Sequence, residues 1–425
     1  MRIGPIQIET NESGRAARLK DAVLASFFEP APSIQARLQE FTARDWKRAK
    51  YWLDVSGLAL YFFDRLQKMN LQNCLPEVLL LEFCRNLDEN RQRTAALLAE
   101  AVKVTHALRD MRVECAILKG ITLPPESVPD SSLRNQMDLD LLIRESDLNR
   151  TRDCLAAFGY SLHAVSGSTW EFKAGPSGTS SLENLYQVRP ERSLEVHVDT
   201  DHSRDSKADR LERSEWQLVR ENWLAALSPA DIFVLQGQHL FKHMCGEYTR
   251  ASWVLEFWRH VCARRDDAVF WREVESLAAK KPGSGAAIGA ALLLTSLSFG
   301  ACVPRELACW SMDKLPPGIC LWIQMYGRRI LLADKPGSKL YLLLRKELRK
   351  DSSADRSERR RLLLPLHWPQ KITRAAEGES VIGRIRRARV QTRFTMRRLR
   401  FHLLEGCALV IESVRWQRRS GGVSR

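Results

Sequence analysis

Apolar residues recur every three to four positions along most of this chain, and the breaks in that rhythm mark its centre. From about residue 16 to residue 87, side chains such as Trp52, Leu53, Leu58, Leu60, Phe62 and Leu66 fall at helical spacing. Positions i, i+3, i+4 and i+7 share one helix face, so a helical N-terminal unit is predicted. Residues 90–111 keep the spacing and predict one long amphipathic helix. The period then changes. A run ending in Cys115, Ala116, Ile117 and Leu118 stops at Lys119-Gly120, which predicts a buried strand turning at a glycine. Residues 137–143 alternate apolar and acidic side chains, as a strand with one polar face does. Residues 146–158 predict a helix with Ser146 or Asp147 as N-cap and Gly159 closing it. Further strands are expected at 169–173 and 185–188, around a Gly/Ser/Pro-rich loop, and residues 193–199 give the clearest alternation of all. From Ser228-Pro229-Ala230-Asp231 onward the spacing is helical again, because Ser-Pro-x-Asp is a helix-start signal.

Helices, then strands mixed with helices, then helices again predict an α+β fold. At 425 residues the chain exceeds what one hydrophobic core usually organises, so about two to four units are expected. The pattern divides it at 1–89, 90–215, 216–315 and 316–425.

Composition changes this picture little: 44% hydrophobic and 28% charged residues are those of an ordinary globular chain. Ten cysteines without a CxxC pair or Cys/His ligand spacing argue against a zinc site and a disulfide framework, and fit a reducing cytoplasm. No apolar stretch of a secretory signal opens the chain. Residues 285–303 approach the length of a membrane span, but they are rich in Gly, Ala, Ser and Thr and read as a buried helix, so no transmembrane segment is expected. Charge is more telling. Residues 328–425 hold 26 Lys/Arg against 9 Asp/Glu, while the remainder is close to neutral. Such a tail predicts an anionic partner (nucleic acid, a phosphorylated polymer or an anionic membrane surface), or simply a solvated helix face.

The chemistry centres on Asp138-Leu139-Asp140. A period of two sets both carboxylates on one strand face, and two like charges that close persist when a divalent cation lies between them. Hard oxygen ligands suit Mg²⁺ or Mn²⁺. Glu195, on the later alternating strand, offers a third carboxylate. Taken alone, Asp-x-Asp on a strand equally describes a solvated edge.

The flanking residues add weight. Leu118-Lys119-Gly120, Arg134, Asp138-Leu-Asp-Leu-Leu-Ile143, Phe158-Gly159-Tyr160 and Leu194-Glu195-Val196-His197 together resemble the uncharacterised nucleotidyltransferase family within the DNA polymerase beta-like superfamily. The resemblance runs from about residue 90 to residue 259, through Ala230-Asp231-Ile232, His239–His243 and Trp253–Glu256, and recurs weakly at Pro336-Gly337-Ser338 and at 362–365. It implies a small mixed β-sheet core over 90–215 with helices on one side, flanked by helical domains. It also implies that Asp138, Asp140 and Glu195 bind Mg²⁺ or Mn²⁺ and carry catalysis, and that Gly120, Lys119 and Arg134 receive the phosphates of an NTP, ATP by family analogy. Lys119 and Arg134 could instead be surface salt-bridge residues. Here Lys119-Gly120-Ile121 stands in place of the superfamily's Gly-Gly or Gly-Ser, and Val128 where the family has tyrosine. His197 shares the face of Glu195 and would orient a ligand, contact phosphate, assist proton transfer or, as is commoner, support the site from behind. His239 and His243, four apart, are expected to contact the core, with zinc binding the lesser reading. Trp253, Phe257 and Trp258 read as core. The activity implied is transfer of a nucleoside monophosphate, AMP from ATP, to a hydroxyl acceptor on a small molecule, sugar, protein or RNA end. The alternative is an inactive fold that binds nucleic acid or a partner through its basic C-terminal region, notably Arg384–Arg389 and Arg397–Arg400.

Overall fold

The computed structural model describes residues 11–123, 125–176, 184–199, 210–219, 221–348 and 381–420. Four helices come first: α1 (Asn11–Ala25), α2 (Ala31–Leu38), α3 (Ala43–Ser56) and α4 (Ala59–Lys68). Thr42 and Asp45 cap α3 reciprocally, each side chain accepting the other's backbone N–H, and Gly57 closes it in the left-handed region. Next comes α5 (Glu77–Asp110), 34 residues long. It begins just after Pro76, more than three turns before the helix read at 90–111, and joins it to the end of the helical stretch read to residue 87. A buried polar residue marks the join: Asn90 donates through Nδ2 to the carbonyls of Ser132 and Arg134.

Then follow β1 (Cys115–Ile117), β2 (Leu139–Arg144), α6 (Leu148–Ala157), β3 (Ser161–Ser166), β4 (Thr169–Ala174), β5 (Arg192–Asp199), β6 (Glu215–Val219) and β7 (Asn222–Ala226). They form a seven-stranded mixed sheet in the order β3-β4-β5-β2-β1-β7-β6, which runs past residue 215. β2 and β5 pair in parallel with Asp140 opposite Glu195 and Leu142 opposite His197. Leu139, Leu141, Ile143, Leu194 and Val196 turn to the core and meet Leu98, Ala101 and Val104 of α5 and Cys154 and Leu155 of α6. Strand alternation then puts Asp140, Leu142, Glu195 and His197 on the opposite face.

Residues 185–188 form a turn and not the expected strand. Their polar groups are engaged elsewhere: the Leu185 carbonyl accepts from Arg93, and the Tyr186 hydroxyl donates to buried Asp54 at 2.9 Å.

Eight-residue and longer helices dominate the rest: α7 (Pro229–Met244), α8 (Ala251–Ala263), α9 (Ala268–Ala279), α10 (Ser284–Phe299), the short α11 (Arg305–Trp310), α12 (Pro317–Leu331), α13 (Tyr341–Leu348) and α14 (Val381–Ser420). The apolar stretch near residue 285 is α10, largely buried, and no helix among the described residues is long and apolar enough to cross a membrane. Two compact units result, one of residues 1–241 and 250–314, the other of 242–249 and 315–425. In the second, Glu412 accepts from the Tyr326 hydroxyl and from Arg329 and Arg415, while Arg398 pairs with Glu247 at 2.9 Å. The expected connection at 350–361 and the weak resemblance at 362–365 lie outside the described residues.

Candidate active site

Asp140 is the fixed point of the site. It lies one residue inside β2, between β1 and β5, and its side chain is almost fully buried. The Leu118 N–H donates to its backbone carbonyl at 3.0 Å, which brings the turn after β1 alongside. Lys119 consequently reaches Asp140 Oδ1 with its Nζ at 3.1 Å. His197 Nε2 stands 3.1 Å from the same oxygen and 3.6 Å from Glu195 Oε2, and Thr169 Oγ1 is 3.2 Å from its Nδ1. With carboxylates on one side, the ring donates Nε2–H to Asp140 and accepts from Thr169. A ring that ligated a cation through Nε2 would turn that pattern around and donate Nδ1–H to Thr169.

Three charges of one sign in this space shape one another. Burial alone would raise the Asp140 pKa, but the His197 hydrogen bond and the Lys119 ammonium outweigh it and hold the group below the ordinary carboxylate range. Asp138 moves the other way: burial, then the Asp140 charge, push it up against the pull of Lys119 and Arg134. Glu195 is raised by burial and by the charges of Asp140 and Asp138. Asp138 sits just before β2, not within it, with its backbone carbonyl held by Gln136 Nε2 at 2.7 Å.

Whether these residues suit a divalent cation is answered by a missing bond. Asp140 Oδ2 is buried and has no hydrogen-bond partner, and ligand atoms of Asp140, Glu195 and His197 all lie within 4.8 Å of one another. A desolvated carboxylate oxygen left without a donor is costly unless a cation completes it. Two carboxylates and an imidazole suit that cation; Asp138 is outside this set of three.

The other expected residues are placed differently. Gly120 has φ +78°, a conformation that favours glycine, and a Cβ there would run into the Gln136 side chain. Arg134 makes no surface salt bridge; its Nε reaches both carboxylate oxygens of buried Glu256 at 3.2 and 3.3 Å, and the Tyr61 hydroxyl donates to Glu256 at 2.9 Å. His239 packs edge-on against Trp253, ring centroids 4.8 Å apart. The backbone carbonyl of His243 accepts from Thr249 Oγ1, and neither histidine belongs to a metal-competent group among the described residues. Phe257 is core as expected, whereas Trp258 is only partly buried, its Nε1 donating to the Gly300 carbonyl.

Beside the carboxylates the sheet face opens on a cavity of about 380 Å³, lined among others by Lys119, Arg134, His197, Gln236, Trp253 and Lys281. Cations outnumber anions in its wall, so it favours an anionic ligand of nucleotide size. Sequence spacing does not single out Glu256, Thr169 or Arg93. Arg93 lies on α5 with its pKa lowered to about 10 by burial and the Arg189 charge, opposed by Asp138. Only the resemblance at Trp253–Glu256 hinted at the first of these.

A family model described as uncharacterised nucleotidyltransferase matches residues 42–300. Among solved structures, an antigenic nucleotidyltransferase-like protein from Paracoccidioides brasiliensis aligns with 16% identity and a TM-score of 0.29, over 47% of this chain and 92% of its own. No curated protein matches the chain.

Proposed function

The chain belongs to the uncharacterised nucleotidyltransferase family, and on that premise we propose that it transfers a nucleoside monophosphate, AMP by family analogy, from an NTP to a hydroxyl acceptor. Asp140 and Glu195, with Asp138 beside them, would hold Mg²⁺ or Mn²⁺. The bond-free buried oxygen of Asp140, on a side chain whose ligand atoms gather with those of Glu195 and His197, is the observation that carries this reading. When bound, the cation lowers the cost of charge on the triphosphate and on the departing pyrophosphate.

The protein's own side chains do the rest. Lys119 is a point charge in the cavity wall and suits a phosphate oxygen, while the Arg134 fork, anchored through Nε, gives direction. Glu195, a stronger base than an ordinary glutamate because its pKa is raised, accepts the acceptor hydroxyl's proton on a carboxylate oxygen. The acceptor oxygen then bonds to the α-phosphorus as the bond to the bridging oxygen breaks, and that electron pair leaves with pyrophosphate. His197, held by Thr169, keeps Asp140 oriented and ionised.

The test is incubation with α-³²P-labelled NTPs, Mg²⁺ and cell extract, beside Asp140→Asn and the double variant Asp138→Ala/Asp140→Ala. Label should pass to an acceptor with the wild type and fall by at least roughly 100-fold in Asp140→Asn, since changes one shell further from a metal already cost that much. Label transfer no greater than the double variant's with all four NTPs would end this reading.

A further inference from the structure

Helix α14 carries eleven arginines and two glutamates over Val381–Ser420, and among the described residues the second unit packs against one of its faces. That face presents Phe401, Leu409 and Trp416, all buried, together with Glu412, which binds Tyr326 and Arg329, and Arg398, which binds Glu247. At 100° per residue the opposite face carries Met396, Leu399, Leu403, Val410 and Val414. All are well exposed, Leu403 at 56% and Val410 at 66%. From Met396 to Val414 this aliphatic row, interrupted at Gly406 and Cys407, runs about 27 Å at 1.5 Å per residue. Scattered exposed aliphatics need no explanation, but five aligned on one helix face do.

We propose that this outward face of α14 lies on an anionic lipid surface. The aliphatic row would enter the boundary between headgroups and acyl chains. Arg400 beside the row, and Arg389, Arg393 and Arg397 on the same flank of the helix at and before its start, would extend to lipid phosphates. Charge complementarity selects this occupant. A second copy of the helix would offer these arginines no carboxylate, because its two glutamates are engaged on the inward face, Glu405 by the Lys339 N–H and Glu412 by Tyr326 and Arg329. Nucleic acid suits the charge but not the row: it asks for aromatic platforms, and Phe401 and Trp416 are turned inward and buried. The contact is peripheral, because no helix among the described residues is long and apolar enough to cross a bilayer. The proposal is independent of catalysis and of the carboxylate site.

The experiment is co-sedimentation of the full chain with vesicles of phosphatidylcholine, with and without phosphatidylglycerol. Wild type should pellet only with the anionic vesicles. Leu403→Glu/Val410→Glu and Arg397→Glu/Arg400→Glu alter exposed positions and should keep the wild-type circular dichroism spectrum, yet each should bind roughly tenfold more weakly or worse. Failure of the wild type to pellet with anionic vesicles overturns the proposal. So does unchanged binding of Leu403→Glu/Val410→Glu, which would leave charge attraction alone. A wild-type dimer in sedimentation velocity that the leucine–valine variant dissolves, with no vesicle binding, would assign the face to a second copy instead.

Discussion

Glu256 shows how a residue far from Arg134 in sequence fixes it in space. It is 3% exposed, and Arg134 and Tyr61 both converge on it. Glu256→Ala leaves a buried guanidinium without its partner, so a loss of about 3–5 kcal/mol in urea denaturation is expected. The double change Glu256→Leu/Arg134→Met removes both charges and should recover much of that loss, which a double-mutant cycle would read as strong coupling. Buried His260 gives a second residue-scale prediction. Its Nδ1 donates to Gln236 Oε1 at 2.8 Å, while Nε2 has no partner. Burial, then the Arg264 charge, lower its pKa to about 3. The unfolded chain binds this proton near pH 6.5, so between about pH 6.5 and 3 the unfolded state holds more protons and stability falls with falling pH. His260's contribution is whole above that window and is lost by up to about 1.4 kcal/mol per pH unit within it. Urea midpoints from pH 7 to pH 4 should show this slope, and His260→Gln should flatten it.

At the scale of elements, α10 is a test of packing against propensity. Gly289 is buried in it, and a Cβ would stand 2.6 Å from the Ser311 carbonyl oxygen and 2.7 Å from its carbon. Alanine gains about 1 kcal/mol of helix propensity over glycine, but overpacking against backbone costs about 1–3 kcal/mol. Backbone yields less than a side-chain tip, so Gly289→Ala should lower the thermal midpoint. Legibility in the sequence followed burial in the same way. β5 announces itself because it buries one face and leaves the other polar, while β2, buried on both faces, is marked only by the carboxylates that interrupt its apolar run, and these polar positions brought Asp140, Glu195 and His197 to notice. β3 is exposed along its whole length and β6 nearly so, and a strand with no buried face writes no period into its residues. What the pattern obscures in α5 is its continuity, because buried Asn86 and Asn90 interrupt the apolar spacing where the two helical stretches join, Asn90 being satisfied by the Ser132 carbonyl. Glu256 and Thr169 escaped for a related reason: a salt bridge or hydroxyl contact across more than 100 or about 30 positions leaves no local pattern.

At the scale of the whole molecule, the chain divides into two compact units, and the family match at 42–300 falls, apart from residues 242–249, on the unit that holds the sheet. A ligand of the carboxylate site should then shift the unfolding of that unit. Anything that binds the native state alone stabilises it by RT ln(1 + [L]/Kd), about 2.7 kcal/mol at a hundredfold excess over Kd, or several degrees for a domain of this size. Scanning calorimetry with Mn²⁺ should show one transition moving upward in the wild type and none in Asp140→Asn. Lys119 makes the experiment sharper. Its ammonium, 3.1 Å from Asp140 Oδ1, already neutralises part of the charge that would attract a cation. Lys119→Met removes that competitor, so Mn²⁺ should act at lower concentration, while an NTP, deprived of a phosphate partner, should act only at higher concentration. The two ligands moving in opposite directions from one substitution is an outcome that general destabilisation does not produce, and a shift of both in the same direction would mean that Lys119 does not stand between the cation and the phosphates.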